Sequence, residues 1–374
     1  MGNKSIGIIT FPINKNGIPP LSNLVDISSS LCQKTYLITG GEGYHHFHND
    51  QRLAIYNITF TDSRYIQKRL FKYIVIQLQI AKILIKLRHE VSSWIFFIGG
   101  SGLIIPLMIA KIIGKKTYLL LAGSEKKGAD VAYNFFSLPV KFLINSGYFI
   151  VDSIVIYSAS LTRTWDLVMY KNKILIAGEH FLDFTTFTVT TPYPDRPSLV
   201  GYIGSLGKVK GVQHFVQALP TILSGQQDLR VLIGGDGQLK ESIETSLDAE
   251  KITARVDLPG WISHDDLPNY LNQLQLLVLP SYTEGLPNIM LEAMACGTPV
   301  LATPVGAIPD VIRDGETGFI MEDNSPECIA RNLLRALHDP DLEGVAERGR
   351  RFVEREFTFE KAVERWKGIL EDVE

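Results

Sequence analysis

The chain has 374 residues, 45% of them hydrophobic, which is enough for two domains of ordinary size, each with its own core. Its three cysteines, Cys32, Cys296 and Cys328, are too few and too widely separated for a disulfide framework or a cysteine-rich metal site. The first residues lack the basic and apolar regions of a signal peptide. We therefore expect a cytoplasmic protein in a reducing environment.

Charge is distributed unevenly along the chain. Residues 1–190 contain 20 Lys and Arg against 11 Asp and Glu, whereas residues 191–374 contain 17 against 29. A basic half beside an acidic half indicates an anionic partner for the basic half. Nucleic acid is not favoured, because the basic residues follow no recognition motif and are rarely interleaved with aromatic residues. An anionic membrane surface fits better, so a peripheral location on the inner face of the membrane stays open.

Two apolar segments of the first half allow more than one interpretation. Trp94–Ile113 is about long enough to span a bilayer, but its glycine-rich turn Gly99–Gly102, Pro106 and Lys111 favour a strand, a turn and a helix. Arg64–His89 predicts a long helix with seven Lys and Arg among large apolar side chains. It is either an amphipathic face that lies on a membrane or a helix that covers a sheet, with its Lys and Arg stems along apolar surface.

Short apolar runs alternate with helical patterns throughout, which is typical of a parallel α/β architecture. The predicted strands are Ser5–Thr10, Thr35–Thr39, Trp94–Ile98, Thr117–Leu121, Ser153–Tyr157, Lys173–Ala177, Leu199–Ile203, Leu229–Ile233, Arg255–Leu258, Leu276–Leu279 and Val300–Thr303. The Thr- and Pro-rich segment Thr185–Pro197 separates two such blocks. We therefore expect domains at residues 1–190 and 191–357, followed by an amphipathic helix at residues 358–374.

The segment Pro280–Phe319 places two carboxylates, Glu284 and Glu292, eight residues apart around the start of a helix. Pro287 suits the first turn of that helix, because its missing N–H costs little there. The free N–H groups and the positive end of the helix dipole suit a phosphate, and neighbouring carboxylates suit sugar hydroxyls. The segment predicts a nucleotide-sugar site, with a capped helix and solvated glutamates as the structural alternative.

This segment resembles the donor site of the retaining glycosyltransferases of family 4, which carry a Glu-x7-Glu signature on the GT-B fold. The resemblance rests on Glu284–Pro287, Leu291–Ala293, Gly297–Val300, Gly306 and Gly315–Phe319. It implies an α/β protein with two Rossmann-like domains facing across a cleft and a C-terminal helix returning to the N-terminal domain. The N-terminal domain would bind the acceptor and the C-terminal domain a nucleoside diphosphate sugar, with no cofactor and no metal.

A second loop, Gly204–Gly211, follows the strand Leu199–Ile203 and resembles the diphosphate-binding loop of the same family. Lys210 matches the family's lysine, but Ser205 replaces its arginine, so a bidentate guanidinium is missing. Lys208 or backbone N–H groups are the candidates for replacing that charge. A solvated lysine pair in a tight turn is the alternative.

The resemblance implies catalytic roles for Glu284, which would orient the donor sugar, and for Lys210, which would stabilise the departing diphosphate. The implied donor-binding residues are Gly204, Ser205, Lys208, Gly235, Trp261, Ile262, Gly285, Leu286, Pro287, Asn288 and Glu292. Among these, Glu292 would hold the ribose. The alternative for Gly235 is a glycine that a sharp turn requires. The alternative for Trp261 is an aromatic residue of the core or of its rim.

The acceptor side departs from the family pattern, and its candidates are Gly17, Ser124 and His180. Gly17 lies after the first strand, where the family has a glycine-bearing loop. Many members have a histidine where this chain has Ser124 and Glu125. These departures leave two alternatives to a retaining glycosyltransferase, a non-catalytic or partner-dependent module and a sugar phosphorylase or epimerase on the same fold.

The basic first half favours an acceptor that is lipid-linked or another anionic glycan. Three histidines, His45, His46 and His48, lie in a polar segment without a Cys or carboxylate pattern. That composition predicts an exposed loop rather than a metal site.

Overall fold

The computed structural model describes residues 5–59, 65–124, 126 and 137–371. The chain divides into two compact units, Met1–Phe181 with Phe359–Glu374, and Leu182–Thr358. Each unit is a parallel sheet with helices on its faces, which explains why most of the strands are continuous apolar runs rather than alternating ones.

The first unit has a seven-stranded sheet with the order β3-β2-β1-β4-β5-β6-β7. Its strands are β1 Ser5–Thr10, β2 Lys34–Thr39, β3 Leu53–Asn57, β4 Ser93–Phe97, β5 Lys116–Leu120, β6 Ser153–Ile156 and β7 Ile174–Ile176. Its described helices are Ile18–Leu31, Glu42–Phe47, Ile66–Lys86, Ile104–Ile112, Ser137–Ile150, Leu161–Thr164 and Phe359–Glu371.

The second unit has a six-stranded sheet with the order β10-β9-β8-β11-β12-β13. Its strands are β8 Leu199–Ile203, β9 Arg230–Gly234, β10 Val256–Gly260, β11 Leu276–Leu279, β12 Val300–Ala302 and β13 Phe319–Ile320. Its helices are Val212–Ser224, Lys240–Ala249, Leu267–Leu271, Asn288–Ala295, Ile308–Val311, Pro326–Leu337 and Leu342–Glu356.

The last helix, Phe359–Glu371, packs in the first unit beside Ile18–Leu31. Trp366 anchors it, since this side chain is 1% exposed and its indole N–H donates to the carbonyl of Gly178 at 3.1 Å. The Tyr118 hydroxyl of β5 donates to the Ile369 carbonyl at 3.3 Å. One face of the first sheet is thus covered in part by the final residues of the chain.

Right-handed crossovers place the remaining helices of the first unit. The chain moves from β1 to β2 through Ile18–Leu31 in one direction, and from β4 to β5 through Ile104–Ile112 in the other. Parallel crossovers are right-handed, so these two helices lie on opposite faces of the sheet. Ile66–Lys86 packs against Ile104–Ile112 and shares its face.

The structure corrects three sequence-based expectations and confirms one. Strands β3 and β13 were not predicted, and both are edge strands, half-buried or only two residues long. Trp94–Ile113 forms most of β4, a tight turn and the helix Ile104–Ile112, which confirms the favoured interpretation of this segment. No helix in the described ranges is long and apolar enough to cross a membrane. His45 and His46 are exposed, but they lie in the helix Glu42–Phe47 rather than in a loop.

Candidate functional site

The second sheet reverses its direction of growth between β8 and β11. Strands β9 and β10 lie on one side of this pair, and β12 and β13 lie on the other. At such a switch point the loops that leave the carboxyl ends of the two strands diverge to opposite faces and open a crevice for a ligand. The loop after β8 carries Lys208 and Lys210, and the loop after β11 carries Glu284.

An ion pair bridges these two loops. The Lys210 ammonium lies 2.7 Å and 2.9 Å from the two carboxylate oxygens of Glu284. The Ser281 hydroxyl donates to the same carboxylate at 2.7 Å. The Glu284 side chain is 9% exposed and the Lys210 side chain 36%. The structure thus brings the two predicted catalytic residues together and leaves part of the lysine accessible to an anion.

Glycine allows the two loops to touch. Gly211 has φ +69°, and a Cβ there would lie 1.9 Å from the carbonyl oxygen of Pro280. The Tyr282 N–H donates to the Val209 carbonyl at 2.9 Å, which ties the loops together one step further along. Only glycine fits this close approach of the two loops. Gly211 therefore allows Lys210 and Glu284 to come within the distance of an ion pair.

The predicted lining glycines lie at the same edge of the sheet. The Gly204 N–H donates to the Gly234 carbonyl at 3.0 Å, and the Gly235 N–H donates to the Gly260 carbonyl at 2.7 Å. Gly235 has φ +138°, and a Cβ there would lie 1.8 Å from the Gly204 carbonyl oxygen. The carboxyl ends of β8, β9 and β10 are therefore packed backbone against backbone.

Trp261 and Ile262 follow β10 at this edge. Trp261 is 63% exposed, which agrees with a rim position rather than a core one. Ile262 packs on β9, since a Cβ at Gly234 would lie 2.4 Å from its Cδ1. The exposed indole of Trp261 is available to a ligand, whereas the Ile262 side chain packs on the backbone of β9.

The diphosphate-loop candidates are exposed. Ser205 and Lys208 are both exposed, and Lys208 begins the 3-10 turn Lys208–Lys210. The Tyr202 hydroxyl donates to the Ser205 carbonyl at 2.7 Å and so holds the start of the loop. Burial, with the nearby Glu284 carboxylate, raises the pKa of Tyr202, which keeps this phenol a neutral donor.

The helix that carries Glu292 begins at Asn288, so the expectation for Pro287 was wrong by one position. Pro287 is the residue before the helix and has extended backbone, φ −72° and ψ 120°. Its carbonyl accepts from the Met290 N–H at 3.1 Å. Gly285, Leu286 and Pro287 are buried and Asn288 is half-buried. These residues therefore shape the turn, and the helix N–H groups follow it directly.

A histidine that carries no motif holds Glu292. The carboxylate of Glu292 is 3.2 Å from His264 Nε2, and the glutamate side chain is 8% exposed. The hydrogen bond that His264 donates to Glu292 raises the pKa of His264, against a smaller opposing effect of burial. The ring of Phe187 packs 5.1 Å from the imidazole. His264 was not predicted from the sequence. Its position three residues after the predicted donor-binding residue Trp261 was the one feature that could have indicated it.

The acceptor-side candidates lie in the first unit. Gly17 immediately precedes the helix Ile18–Leu31, after β1 and thus at the switch point between β1 and β4. Ser124 is half-buried in the segment that follows β5, and Glu125 lies outside the described residues. His180 is 6% exposed and packs edge-on to Tyr157 at 4.6 Å. Its burial favours a packing role over direct contact with an acceptor.

Beside His180 lies a buried carboxylate that the sequence did not single out. Glu179 is 1% exposed and accepts from the Tyr157 hydroxyl at 3.1 Å. Burial raises the pKa of this carboxyl. In the portion of the chain that the structure describes, no group of three His, Cys, Asp or Glu is arranged to hold a metal ion.

Comparison with known proteins finds a family model that matches most of the second unit. Residues 184–355 match the family described as glycosyl transferases group 1. Alpha-D-kanosaminyltransferase of Streptomyces kanamyceticus is 29% identical over 180 residues, covering 48% of this chain and 46% of that protein. N-acetyl-alpha-D-glucosaminyl L-malate synthase of Bacillus anthracis is 29% identical over 255 residues, covering 66% of each. The chain thus spans about half to two thirds of these relatives.

Structural similarity to solved proteins covers nearly the whole chain. The Anabaena protein Alr3699/HepE, solved in complex with UDP, matches with a TM-score of 0.78 over 99% of this chain and 100% of that one. The sequence identity is 13%, so the likeness establishes the fold alone. That fold is GT-B, an α/β fold with two parallel-sheet Rossmann-like domains, as the sequence predicted.

Proposed function

We propose, from the match of residues 184–355 to the family described as glycosyl transferases group 1, that this protein is a retaining glycosyltransferase. It moves a sugar from a nucleoside diphosphate sugar to an acceptor hydroxyl. The observation that carries the proposal is the Lys210–Glu284 pair at the switch point of the second sheet. A cation for the diphosphate and a carboxylate for sugar hydroxyls are held where such sheets bind nucleotides.

Catalysis rests on stabilising the leaving group. The bond between the anomeric carbon and the diphosphate oxygen breaks, and negative charge develops on the diphosphate. Lys210 and the N–H groups at the start of Asn288–Ala295 meet that charge without having to reorganise. The leaving phosphate takes the proton of the acceptor hydroxyl on the same face of the sugar, so the anomeric configuration is kept. No side chain is assigned as a covalent nucleophile.

The two glutamates orient the donor. Glu284 accepts hydrogen bonds from the donor sugar, and Glu292 accepts them from the ribose. Each side chain is less than one tenth exposed and already has a hydrogen-bonding partner, Lys210 for Glu284 and His264 for Glu292. Because the partners fix both carboxylates before the donor arrives, less side-chain entropy is lost on binding.

A uridine diphosphate sugar is the first donor to examine, because the structurally similar Anabaena protein was solved with UDP. The acceptor binds the first unit, near Gly17 and Ser124 at the carboxyl edge of its sheet. The net positive charge of residues 1–190 favours an acceptor that carries a phosphate or another anionic group, such as a lipid-linked glycan. The protein acts in the cytoplasm and needs no metal or cofactor.

Calorimetric titration with UDP, GDP and ADP, and then with their sugars, tests the donor site. One nucleotide should bind in preference to the others, and Glu292→Ala should weaken it. Glu241→Ala is the matched control, since Glu241 is an exposed glutamate on another helix of the same unit. Proton NMR of the product made from an α-linked donor should show an α-linked product, because the configuration is retained.

The replacement of the family's arginine by Ser205 favours a second candidate, a non-catalytic module that keeps the fold. A guanidinium normally contributes two parallel hydrogen bonds to a phosphate, and a serine hydroxyl cannot replace its charge. Binding of no nucleotide by the wild-type protein would favour this candidate over the transferase. If the wild-type protein binds a nucleotide and transfers its sugar, and if Lys208→Ala weakens nucleotide binding, then Lys208 replaces the charge of the missing arginine.

A further inference from the structure

Three neighbouring helices form one face of the first unit. Ile66–Lys86 packs against Ile104–Ile112, which packs against Ser137–Ile150. The opposite face of the same sheet holds Ile18–Leu31 and the last helix, Phe359–Glu371. The first face therefore has no second layer of secondary structure within the described part of this unit.

Large apolar side chains on the longest of these helices point away from the core. Phe71, Ile74, Leu78 and Ile85 are 68%, 43%, 54% and 44% exposed. Their spacings of three, four and seven residues put them on one side of the helix. The inner side of the helix, with Ile80 and other residues, is buried in the usual way. The helix thus has two apolar stripes. One faces the sheet and the other faces solvent.

The other two helices of this face also carry exposed apolar side chains. On Ser137–Ile150, Leu138, Phe142 and Phe149 are 76%, 75% and 76% exposed, again at spacings of four and seven residues. On Ile104–Ile112, Met108 and Ile112 are 49% and 74% exposed. Contiguous exposed apolar surface of this kind marks an interaction site rather than an ordinary surface.

The charge of these helices has one sign. None of the three contains an Asp or Glu. Their cationic residues are Lys68, Arg69, Lys72, Lys82, Lys86, Lys111 and Lys141. Asp152, next to the face, is already paired with Lys111. The apolar stripe and its cationic border are together called the docking face below.

An open depression of about 500 Å³ lies within the docking face. Its apolar lining includes Met108, Ile112 and Phe149, and its charged lining consists of Lys111, Lys173 and Asp152, which is paired with Lys111. The Lys173 ammonium donates to the Val151 carbonyl at 2.9 Å. Apolar side chains thus lie next to a rim on which two lysines outnumber one aspartate, which suits an amphiphile with an anionic head.

We propose that the docking face binds the surface of a bilayer that contains anionic lipids. Its exposed Phe, Leu and Ile side chains enter the region between headgroups and acyl chains, and its Lys and Arg side chains meet lipid phosphates. A second copy of the chain fits less well, because a two-fold contact would set this cationic face against itself. The proposal concerns membrane attachment and does not depend on the transferase activity proposed above.

Vesicle flotation of the full chain tests the proposal. The protein should float with vesicles of phosphatidylcholine mixed with phosphatidylglycerol, and far less with vesicles of phosphatidylcholine alone. Raising the salt concentration should weaken the binding, because exposed charges are screened. Binding to both vesicle types alike, or to neither, would overturn the proposal.

Two variants locate the contact. Lys82→Gln with Lys86→Gln removes two cations and should weaken partitioning roughly thirty-fold, at about 1 kcal/mol per cation. Phe142→Gln with Phe149→Gln removes two inserted rings and should weaken it as well. Lys240→Gln with Lys367→Gln is the matched control, since both lysines lie on helices outside the docking face, Lys240 exposed and Lys367 with its side chain 44% exposed. All of these positions are at the surface, and thermal melts should match those of the wild type.

Two further results would overturn the proposal. One is equal loss of flotation in the control pair, which would mean that net charge rather than this face drives binding. The other is a change of oligomeric state in the Phe142→Gln, Phe149→Gln pair with flotation unchanged, which would make the face a contact between copies. Nucleotide calorimetry on the same variants should be unchanged, so failure of membrane binding is distinguishable from failure of the donor-site proposal.

Discussion

The two units start from one topology and present different surfaces. In each, the strand order places the third, second, first and fourth strands side by side, as β3-β2-β1-β4 and β10-β9-β8-β11. Among the described residues of the second unit, the large exposed apolar side chains are Trp261 and Tyr282, which follow β10 and β11. In the first unit they lie mainly on three helices. Loops and outer helix faces can thus acquire separate roles, because neither contributes to the shared core.

The largest effect is expected from a change in the core of the first unit alone. Trp366→Ala should destabilise the first unit by about 4 kcal/mol, because a fully buried indole and its hydrogen bond to Gly178 are lost. Denaturant unfolding measures the effect. Lys367→Ala on the same helix is the control, since Lys367 is 44% exposed and should change little. Equal stability of the two variants would contradict the anchoring role of the last helix.

The next prediction concerns the switch point of the second sheet. Lys210→Ala should lower kcat about 10²- to 10³-fold, because a preorganised cation at the leaving diphosphate is removed. Initial rates with the donor identified by calorimetry measure it. Lys240→Ala, an exposed lysine on the helix after β9, should leave kcat unchanged. A Lys210→Ala variant with wild-type kcat would mean that the diphosphate is stabilised elsewhere.

Backbone packing at the same edge predicts a smaller effect on stability. Gly235→Ala should cost about 2 kcal/mol, because φ +138° is strained for alanine and its Cβ would meet the Gly204 carbonyl. Gly225→Ala in the same unit is the control, since a Cβ there meets no atom within 4 Å and its φ is −97°. Thermal unfolding compares the two. A Gly235→Ala protein as stable as the control would show that the edge can relax.

The smallest effect is a pH dependence in the second unit alone. The pKa of His264 is raised above its ordinary value of 6.5 by the hydrogen bond to Glu292. The stabilisation from this contact is therefore complete below about pH 6.5 and is lost as the pH rises through the raised pKa of the folded protein. His264→Asn should flatten this part of the stability profile, followed by thermal melts across pH. An unchanged profile would mean that the two side chains are not coupled in solution.

Most of the fold was accessible from the sequence because parallel strands are local apolar runs. Eleven of the thirteen described strands were predicted, with ends that differ from the structure by at most two residues. The two that were missed, β3 and β13, are edge strands. An edge strand is covered on fewer sides, so its residues need not form a continuous apolar run. The pattern on which the prediction depends is therefore weakest there.

Residues of the candidate site could be predicted where a short segment carries a recognisable pattern. They could not be predicted where their role depends on contacts between distant segments. Glu284 and Lys210 were proposed from two separate segments, and the structure joins them at 2.7 Å. The partner of Glu292 was not predicted, because His264 is 28 residues away and no spacing rule connects them. His180 was placed on the acceptor side from its position in the chain, yet it is buried beside Tyr157.

The sequence by itself determined the two α/β units, the order of most strands along the chain and the segments that carry the charged site residues. These features depend on short-range patterns of apolar, turn and capping residues, which a linear chain displays directly. The tertiary structure alone decided which helix faces remain uncovered, which histidine contacts Glu292 and where the last helix packs. Those outcomes depend on contacts between distant segments, and the same apolar stripe can be core or surface until the neighbouring elements are in place.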